Sequence, residues 1–479
     1  MEFPELLTWV DGAPEESPVP AGDLFDPNTG EVLAPNLASS PDQVERAVAA
    51  AARAHSDGDW LALGPEGRAG ILLAWADRLD GLGQEIARLD ALNSGVPISV
   101  TALFGSSNSG TVREAVRLLR ERGDVYSVSS DDRPVTVRHV PWGPTALIVP
   151  WNAPSAMAVK KLAYALAAGA PVVLKPSPAS PWSAELVVRA AHEAGVPAGV
   201  VNMVLGGGDV GTAVVSDSRV RAISMTGSTP TGRAIAAVAA PRFARLQLEL
   251  GSNNPVVVRS DADVVEAASV IVSGSLKLSG QWCEAPRRVL VARALLPDLV
   301  SALFAEAGRW RVGSSLDAAT RVGPVAFEAR RTELEGQVRE FAAAGARLLR
   351  VDDVPDKGWF FGPTIAYGEG LDAAGEMFGP LLSVQPYDTE EQAVALANAG
   401  QVGLAAYVMT TDIDAGVALG TRLVAGEVKI NGSSVLDMSE GSVQSFFGDG
   451  GFGGHGDRDL LGFFSGKQIV GTDRPGLPL

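Results

Sequence analysis

The feature that most constrains the fold is a regular alternation of apolar runs and helix-length stretches between residues 145 and 251. The runs are rich in Val, Ile, Leu and Met, and Ala-rich stretches separate several of them. Strands that alternate with helices in this way form βαβ units, so the pattern predicts a parallel sheet. The predicted strands are 145–149, 171–174, 200–205, 221–225 and 246–250.

Polar or glycine residues stand at the end of each predicted strand. In an open α/β sheet, ligands bind at the carboxyl ends of the strands. We therefore expect these residues to share one crevice. They are Asn152, Lys175, the glycines at 206–208, Gly227 with Ser228, and Glu249.

The chain is too long for one core. Its 479 residues exceed the roughly 250–300 that a single core usually holds, so we expect at least two domains. A second α/β pattern runs from 252 to about 432 and includes a helix predicted at about 263–278. Further helices are predicted at about 40–55, 66–92 and 111–122, and residues 134–140 alternate like a solvated strand in a protruding hairpin.

Composition excludes several classes of partner. A net charge of −17 disfavours nucleic acid, whose phosphates would be repelled. We find neither a signal peptide nor an apolar stretch of about 18 residues, so no membrane contact is expected. One cysteine fits a reducing compartment, and we expect a cytoplasmic protein. The four scattered histidines predict no metal site.

Cys283 is the only cysteine in the chain. A lone cysteine is usually a small buried side chain, and the alternative is a reactive thiol. Glu249 lies 34 residues upstream of it, and Asn152 lies further back. A thiol nucleophile, a carboxylate base and an amide donor are the groups needed for acyl chemistry through a thioester, which favours the reactive thiol.

Three glycine segments are candidates for binding a dinucleotide phosphate. Two match G-x-G-x-x-G, at 206–211 and 451–456, but both are expected to be turns. The first lacks an acidic residue about 20 positions on, and the second lies too near the C-terminus for a βαβ unit. The third, TGSTPTG at 226–232, follows a strand and opens a helix, which suits a pyrophosphate but equally suits an ordinary capped helix.

Six motifs together resemble those of the NAD(P)-dependent aldehyde dehydrogenase superfamily, in the family's order and over nearly the whole chain. The resemblance implies an α/β fold with a Rossmann-type cofactor domain (1–122 and 142–251), an α/β catalytic domain (252–440) and a small oligomerisation element (123–141 and 441–479). It also implies a homodimer or homotetramer. The motifs are PWNAP (150–154), KPS (175–177), MTGST (225–229), LELG (248–251), GQWC (280–283) and EMFGP (376–380).

The resemblance also implies roles in catalysis. Cys283 would attack the aldehyde, Asn152 would donate to the oxyanion, and Glu249 would activate the water that hydrolyses the thioester. Lys161 matches a family lysine linked to proton relay, although a lysine on a helix face is the simpler interpretation.

NAD or NADP is the implied cofactor, and the third glycine segment is its implied pyrophosphate site. Lys175 and Glu376 would contact the two riboses, and Phe378 would form a wall beside one of them. The expected cofactor contacts are Trp151, Lys175, Gly207, Gly211, Gly227, Ser228, Gly232, Glu376 and Phe378.

Departures from the family pattern bear on specificity. Pro178 stands where many NAD-preferring members have a glutamate, so Lys175 with Ser177 and Ser180 could accept the phosphate of NADP. Ala153 is small and should widen the substrate tunnel. Trp282, beside the nucleophile, is expected to contact the substrate, and Phe447 is expected to line the substrate mouth.

The substrate is a small-molecule aldehyde of undetermined class. The aromatic residues favour an apolar or aromatic aldehyde, whereas Lys160 could favour an acidic one. Two alternatives to an enzyme that forms the free acid remain. One is a CoA-acylating relative, and the other is a binding protein that has kept the fold. Glu249 argues against the first of these, and the intact Asn152, Glu249 and Cys283 set argues against the second.

Overall fold

The computed structural model describes residues 3–129, 134–371, 375–434, 438–439 and 441–473, and the fold is α/β. Residues 130–133 and 474–479 of the expected oligomerisation element lie outside the described residues. The N-terminal elements are β1 (Leu7–Val10), β2 (Ala13–Glu16), β3 (Val19–Phe25), β4 (Val32–Ala38), α1 (Pro41–Asp57), α2 (Asp59–Ala62), α3 (Gly64–Ser94), α4 (Ile98–Arg122), β5 (Val125–Ser127) and β6 (Val135–Pro141).

The alternating stretch follows. Every strand predicted from its pattern is present, and a helix connects each strand to the next, which confirms the βαβ prediction. The elements are β7 (Thr145–Ile148), α5 (Pro154–Ala167), β8 (Val172–Lys175), α6 (Trp182–Glu193), β9 (Val201–Met203), α7 (Gly208–Ser216), β10 (Ala222–Thr226), α8 (Thr229–Ala239) and β11 (Arg245–Glu249).

A second α/β unit and a short C-terminal segment complete the chain. Short 3₁₀ helices lie at Ala240–Arg242, Lys277–Gly280, Arg293–Leu295 and Gly448–Gly450. The other elements are β12 (Pro255–Val258), α9 (Val264–Leu276), β13 (Arg288–Ala292), α10 (Leu296–Ala307), α11 (Glu328–Ala343), β14 (Arg347–Arg350), β15 (Thr364–Tyr367), β16 (Leu381–Tyr387), α12 (Glu390–Ala397), β17 (Ala405–Met409), α13 (Ile413–Gly420), β18 (Glu427–Ile430), β19 (Gln444–Ser445), β20 (Gly451–Phe452), β21 (Gly454–His455), α14 (Asp457–Phe463) and β22 (Ser465–Gly471).

Two large sheets organise these elements. Among the described residues, the first has eight strands in the order β2-β1-β9-β8-β7-β10-β11-β20, and β7 to β11 pair in parallel. The second has seven strands in the order β14-β15-β16-β13-β12-β17-β18. Because parallel strands end at the same edge of a sheet, the polar residues after β7, β10 and β11 converge there.

Helix α4 is longer than the sequence pattern predicts. Its first half is rich in Ser, Asn and Gly, which are poor helix formers, so the pattern indicated a helix only at about 111–122. Tertiary packing against α3 stabilises this half. A Cβ at Gly105 would lie 2.3 Å from the backbone oxygen of Gly83, so the two helices can approach this closely only through glycine.

The C-terminal segment returns to both the first sheet and the predicted hairpin strand. β22 pairs antiparallel with β6, which is therefore the central strand of a small sheet in the order β22-β6-β5. β20 pairs with β11, so that Gly451 lies opposite Glu249. The tail thus reaches the carboxyl edge of the large sheet, where the candidate catalytic residues lie.

Candidate active site

Cys283 follows a loop whose backbone has an unusual shape. Helix α9 ends at Leu276, slightly before the predicted end, and Leu278 and Ser279 then have left-handed φ values of 52° and 58°. Such conformations cost roughly 1–3 kcal/mol for each non-glycine residue, so the surrounding structure must hold them.

Buried hydrogen bonds hold this loop. The Ser279 hydroxyl donates to the backbone oxygen of Gly95 at 3.1 Å. The guanidinium of Arg287, which is fully buried, donates to the backbone oxygens of Gly280 and Trp282. The residues on both sides of the strained backbone are therefore fixed, and with them the position of the thiol.

The thiol of Cys283 faces the carboxylate of Glu249. The Sγ atom donates to Glu249 Oε1 at 3.5 Å. Burial raises the pKa of the Cys283 thiol well above its ordinary value, and the carboxylates of Glu249 and Glu284 raise it further. Cys283 is thus a protonated thiol at neutral pH, and its proton points toward a base.

Glu249 ends strand β11 and is buried, with about 6% of its surface exposed. Its Oε2 atom accepts a hydrogen bond from the Thr226 hydroxyl at 3.1 Å and lies 3.9 Å from His455 Nδ1. Burial acts to raise the pKa of Glu249, but the charges of His455 and Lys161 and the hydrogen bond from Thr226 hold it below its ordinary value. The buried carboxyl group is therefore ionised at neutral pH.

Asn152 lies just beyond strand β7, where its amide is buried and fixed. Its Nδ2 atom donates to the backbone oxygen of Gln281 at 2.8 Å, two residues before the thiol. Asn254 holds the other side of the loop by donating to the backbone oxygen of Cys283 at 2.8 Å. The predicted thiol, carboxylate and amide are thus brought together.

Two cavities meet at these residues. The strand-end cavity, of about 100 Å³, and the helix-face cavity, of about 210 Å³, share Pro150, Asn152, Thr226, Glu249 and Cys283. The strand-end cavity is also lined by Trp151, Gly227, Ser228, Leu250, Gly251, Arg330, Glu376 and Phe378. The helix-face cavity is also lined by Phe104, Ser107, Asn108, Thr111, Ala153, Ala156, Met157, Lys160, Leu278, Trp282, Glu284 and His455.

The third glycine segment opens onto the strand-end cavity. Ser228 caps α8 by accepting the N–H of Thr231. A Cβ at Gly232 would lie 2.4 Å from Leu250 Cδ2, and one at Gly227 would lie 2.5 Å from Met225 Cε. The glycines therefore allow α8 to pack closely against the strand ends.

Of the two predicted ribose contacts, Glu376 lines that cavity and Lys175 does not. Glu376 accepts the N–H of Ser252 at 3.1 Å, and burial raises the pKa of its carboxyl to about 7. The ring of Trp151 packs edge-on against Phe378, with ring centres 5.4 Å apart. Trp151, Glu376 and Phe378 thus line one cavity.

Lys175 lies at the end of β8, beside the first glycine segment. Its Nζ atom donates to the backbone oxygen of Pro176 at 3.1 Å, and burial lowers the pKa of the ammonium to about 8, against the charge of Asp209. A Cβ at Gly211 would lie 3.3 Å from Lys175 Cε, and Gly207 precedes the same helix, α7.

The surroundings of Pro178 partly differ from expectation. Ser180 is fully buried, so its hydroxyl is not accessible to a phosphate, whereas Ser177 is partly exposed. The backbone oxygen of Pro178 accepts a hydrogen bond from Asn36 at 2.9 Å.

The predicted substrate residues differ in their placement. Trp282 is buried in the helix-face cavity, with the ammonium of Lys277 5.1 Å from its ring centre. Phe447 lines neither cavity, and 47% of its surface is exposed. Its N–H donates to the backbone oxygen of Gly403 at 3.1 Å, and this close packing holds it away from the thiol. The expectation that Phe447 lines the substrate mouth therefore stays a prediction.

The C-terminal segment contributes His455 to the helix-face cavity instead, which the sequence did not indicate. The available signal was its position in the glycine segment at 451–456, which the sequence indicated only as a turn. Lys161 lines neither cavity. It is buried, donates to Ser224 at 2.7 Å and to Gln247 at 3.1 Å, and burial lowers its pKa to about 8.

The described residues contain neither a metal-binding cluster nor a helix that could span a membrane. Within the described ranges, no group of three or more His, Cys, Asp or Glu side chains could hold a metal ion. Across the same part of the chain, no helix is both long and apolar enough to cross a membrane.

Comparisons with known proteins give consistent matches. A model of the aldehyde dehydrogenase family matches residues 13–465. A betaine aldehyde dehydrogenase from Rhizobium leguminosarum is 33% identical over 458 residues, covering 93% of this chain and 92% of the relative. A solved gamma-glutamyl-gamma-aminobutyraldehyde dehydrogenase from Burkholderia cenocepacia has a TM-score of 0.91 at 31% identity, covering 98% of this chain and 97% of its own. Aldehyde dehydrogenase C from Pseudomonas syringae, solved with NAD+ and octanal, has a TM-score of 0.88 at 30% identity. The match covers 97% of this chain and 96% of the solved chain.

Proposed function

Because the chain belongs to the aldehyde dehydrogenase family and is an NAD(P)-dependent enzyme that oxidises an aldehyde to the acid, we propose that it acts through a covalent thioester on Cys283. The observation that carries the proposal is the meeting of two cavities at Cys283, Glu249 and Asn152. One cavity can hold the cofactor and the other the aldehyde, so that both reach the same sulfur.

The cofactor is NAD or NADP, and the strand-end cavity has residues that fit it. The N-terminus of α8 with Ser228 offers backbone N–H groups to an anion, and Gly227 and Gly232 let this helix pack against the strand ends that line the cavity. When bound, NAD(P) accepts a hydride from the substrate carbon. The residues proposed to hold it are Trp151, Lys175, Gly207, Gly211, Gly227, Ser228, Gly232, Glu376 and Phe378.

The first half-reaction begins with proton transfer from Cys283. Glu249, which accepts the thiol hydrogen bond, takes that proton, and the thiolate attacks the aldehyde carbon. The amide of Asn152 carries two N–H groups. One is bound to Gln281 and orients the amide, and the second donates to the developing oxyanion, an interaction worth about 3–4 kcal/mol. Loss of hydride from the resulting thiohemiacetal leaves the thioester.

The second half-reaction uses Glu249 again. Glu249 first releases to solvent the proton that it took from Cys283, and is then a carboxylate again. It takes a proton from water while the water oxygen attacks the thioester carbon. The tetrahedral adduct then expels the Cys283 thiolate and releases the carboxylic acid. A carboxylate 3.5 Å from the sulfur would be in the position needed for both proton transfers.

The direct test is a screen for NAD(P)H formation over a panel of aldehydes, with each cofactor and with or without CoA. We expect NAD(P)H and a free carboxylic acid in the absence of CoA. Product formation only with CoA would instead indicate an acyl-CoA-forming enzyme. No turnover of any aldehyde would favour a binding protein that has kept the fold.

We also propose that the enzyme is a homodimer or homotetramer. The small sheet β22-β6-β5 has two edge strands with exposed apolar side chains, which is typical of an interface. Multi-angle light scattering would test this, and a monomer at micromolar concentration would contradict it. The exposed side chains are Val125 (54%), Tyr126 (39%), Ile469 (71%) and Val470 (50%).

A further inference from the structure

We propose that His455 keeps Glu249 ionised and oriented for thioester hydrolysis, which makes it a positioning residue for the catalytic base. The inference rests on the proposed function, because it concerns the base of that reaction. It is carried by the place of the His455 ring between Glu249 and Lys160 in the wall of the helix-face cavity.

The backbone brings His455 to this place through pairing with β11. Gly451, in β20, lies opposite Glu249, and the Gln247 side chain donates to the backbone oxygen of Gly454 at 3.2 Å. The following residue is His455, which also lies opposite Gln444 in the β19–β21 pair. The imidazole position is therefore fixed by the same strand that carries the base.

The two carboxylate oxygens of Glu249 have different partners. Oε1 accepts the thiol hydrogen bond of Cys283, whereas Oε2 faces the Thr226 hydroxyl at 3.1 Å and His455 Nδ1 at 3.9 Å. Thr226 thus holds the oxygen that is not needed for chemistry by a hydrogen bond, and His455 lies close enough to attract it electrostatically. The other oxygen stays directed at the reacting sulfur.

Glu249 needs such help because burial favours its neutral form. The nearby carboxyl of Glu284 has its own pKa raised to about 7, mainly by burial and in part by the charge of Glu249. The groups that favour the Glu249 carboxylate are His455, Lys161 and the hydrogen bonds from Thr226 and Cys283, and together they hold its pKa below its ordinary value. Lys161 is itself engaged by Ser224 and Gln247.

The other ring nitrogen faces a cation. Lys160 Nζ lies 3.4 Å from His455 Nε2 and 3.5 Å from the carboxylate of Asp457. An ammonium at Nε2 favours the neutral tautomer that carries its hydrogen on Nδ1. His455 therefore directs an N–H at Glu249 in its neutral form as well as in its charged form.

The consequence is a defined dependence on pH. Without His455, Glu249 should bind a proton more readily. In a plot of the thioester hydrolysis rate against pH, the fall in rate on the acid side should therefore move to higher pH. At high pH, Glu249 would be ionised in either protein, and the rates should converge. A purely structural role would lower the rate at every pH.

The experiment compares His455→Phe and His455→Asn with the wild-type enzyme, and uses His139→Phe on β6 as a matched control outside the cavity. The acyl-enzyme is formed with aldehyde and NAD(P), and its decay is followed by quenching and mass spectrometry at about pH 6 and pH 9. We expect the acyl-enzyme of His455→Phe to decay about tenfold more slowly than that of the wild type at pH 6. At pH 9, the two decay rates should agree within about twofold. His455→Asn keeps an N–H donor, so its decay rate at pH 6 should lie between those of the wild type and His455→Phe.

The inference would be overturned if the acyl-enzyme of His455→Phe decays at the wild-type rate at both pH values. It would also be overturned if the decay rate falls by the same factor at pH 6 and pH 9. If His455→Phe does not fold, the pH profile of His455→Asn decides in the same way. Absence of any Cys283 acyl-enzyme in the wild type and in Glu249→Gln alike would refute the proposed function itself. An acyl-enzyme that forms but does not respond to His455 would refute only the role of His455.

Discussion

The strand-end cavity and the helix-face cavity meet at one sulfur but are built differently. Strand ends and the turns after them supply most of the strand-end cavity, including Pro150 to Asn152, Thr226 to Ser228 and Glu249 to Gly251. Side chains on α4 and α5, such as Phe104, Met157 and Lys160, supply much of the helix-face cavity, and His455 joins them from the tail.

Because they are built differently, the two cavities should respond differently to substitution. Backbone at strand ends is set by the sheet and changes little when side chains change. A cavity lined by helix side chains changes size and charge with each substitution. We therefore expect the strand-end cavity to determine which cofactor binds and the helix-face cavity to determine which aldehyde is preferred. Variants can test this division.

The largest effect should come from the residue common to both cavities. Cys283→Ala should lower aldehyde oxidation by at least about 10³-fold, because no other thiol is present to form the covalent adduct. Cofactor binding, measured by calorimetry, should be unchanged, since the strand ends remain. Retention of more than a few per cent of activity in a clean preparation would refute the thioester mechanism.

The next largest effect is expected at Asn152, which also lines both cavities. Asn152→Ala should lower kcat by about 10²–10³-fold, because one oxyanion donor is lost. Asn108→Ala is the matched control, since Asn108 is a buried amide of the helix-face cavity. Equal losses of kcat in both variants would show that Asn152 acts through packing and not through the oxyanion.

A change confined to the helix-face cavity should alter aldehyde preference alone. Ala153→Phe fills space beside the thiol, so kcat/KM for an aromatic aldehyde should fall about tenfold relative to acetaldehyde. The KM for the cofactor should stay the same. A matching rise in cofactor KM would show that the two cavities are not independent.

A change on the cofactor side should have the smallest effect. Pro178 offers no charge beside Lys175, so the ratio of kcat/KM for NAD over NADP should lie within about tenfold, or ~1.4 kcal/mol. Pro178→Glu should shift this ratio toward NAD and leave the aldehyde preference unchanged. A wild-type preference for NAD above a hundredfold would contradict the argument, and Asp209→Asn would then test whether Asp209 supplies the missing charge.

The same division explains what the sequence could predict. The alternating runs predicted β7 to β11 and the polar residues at their ends, because periodicity and strand-end chemistry are local properties. His455 could not be found this way, since its position depends on the pairing of β20 with β11, about 200 residues away.

The first half of α4 was missed because packing against α3, and not helix propensity, stabilises it. The left-handed turn at Leu278 and Ser279 is likewise held by a distant group, since the Ser279 hydroxyl donates to the backbone oxygen of Gly95. In each case a contact distant in sequence overrides a local preference.

The central claim is that Glu249 activates the water that hydrolyses a Cys283 thioester. Its most direct test is mass spectrometry of Glu249→Gln after mixing with aldehyde and NAD(P), beside the wild-type enzyme. We predict that the variant accumulates an acyl adduct on Cys283, while its steady-state rate falls by about 10²–10⁴-fold. Full turnover with no adduct on Cys283 would contradict the account.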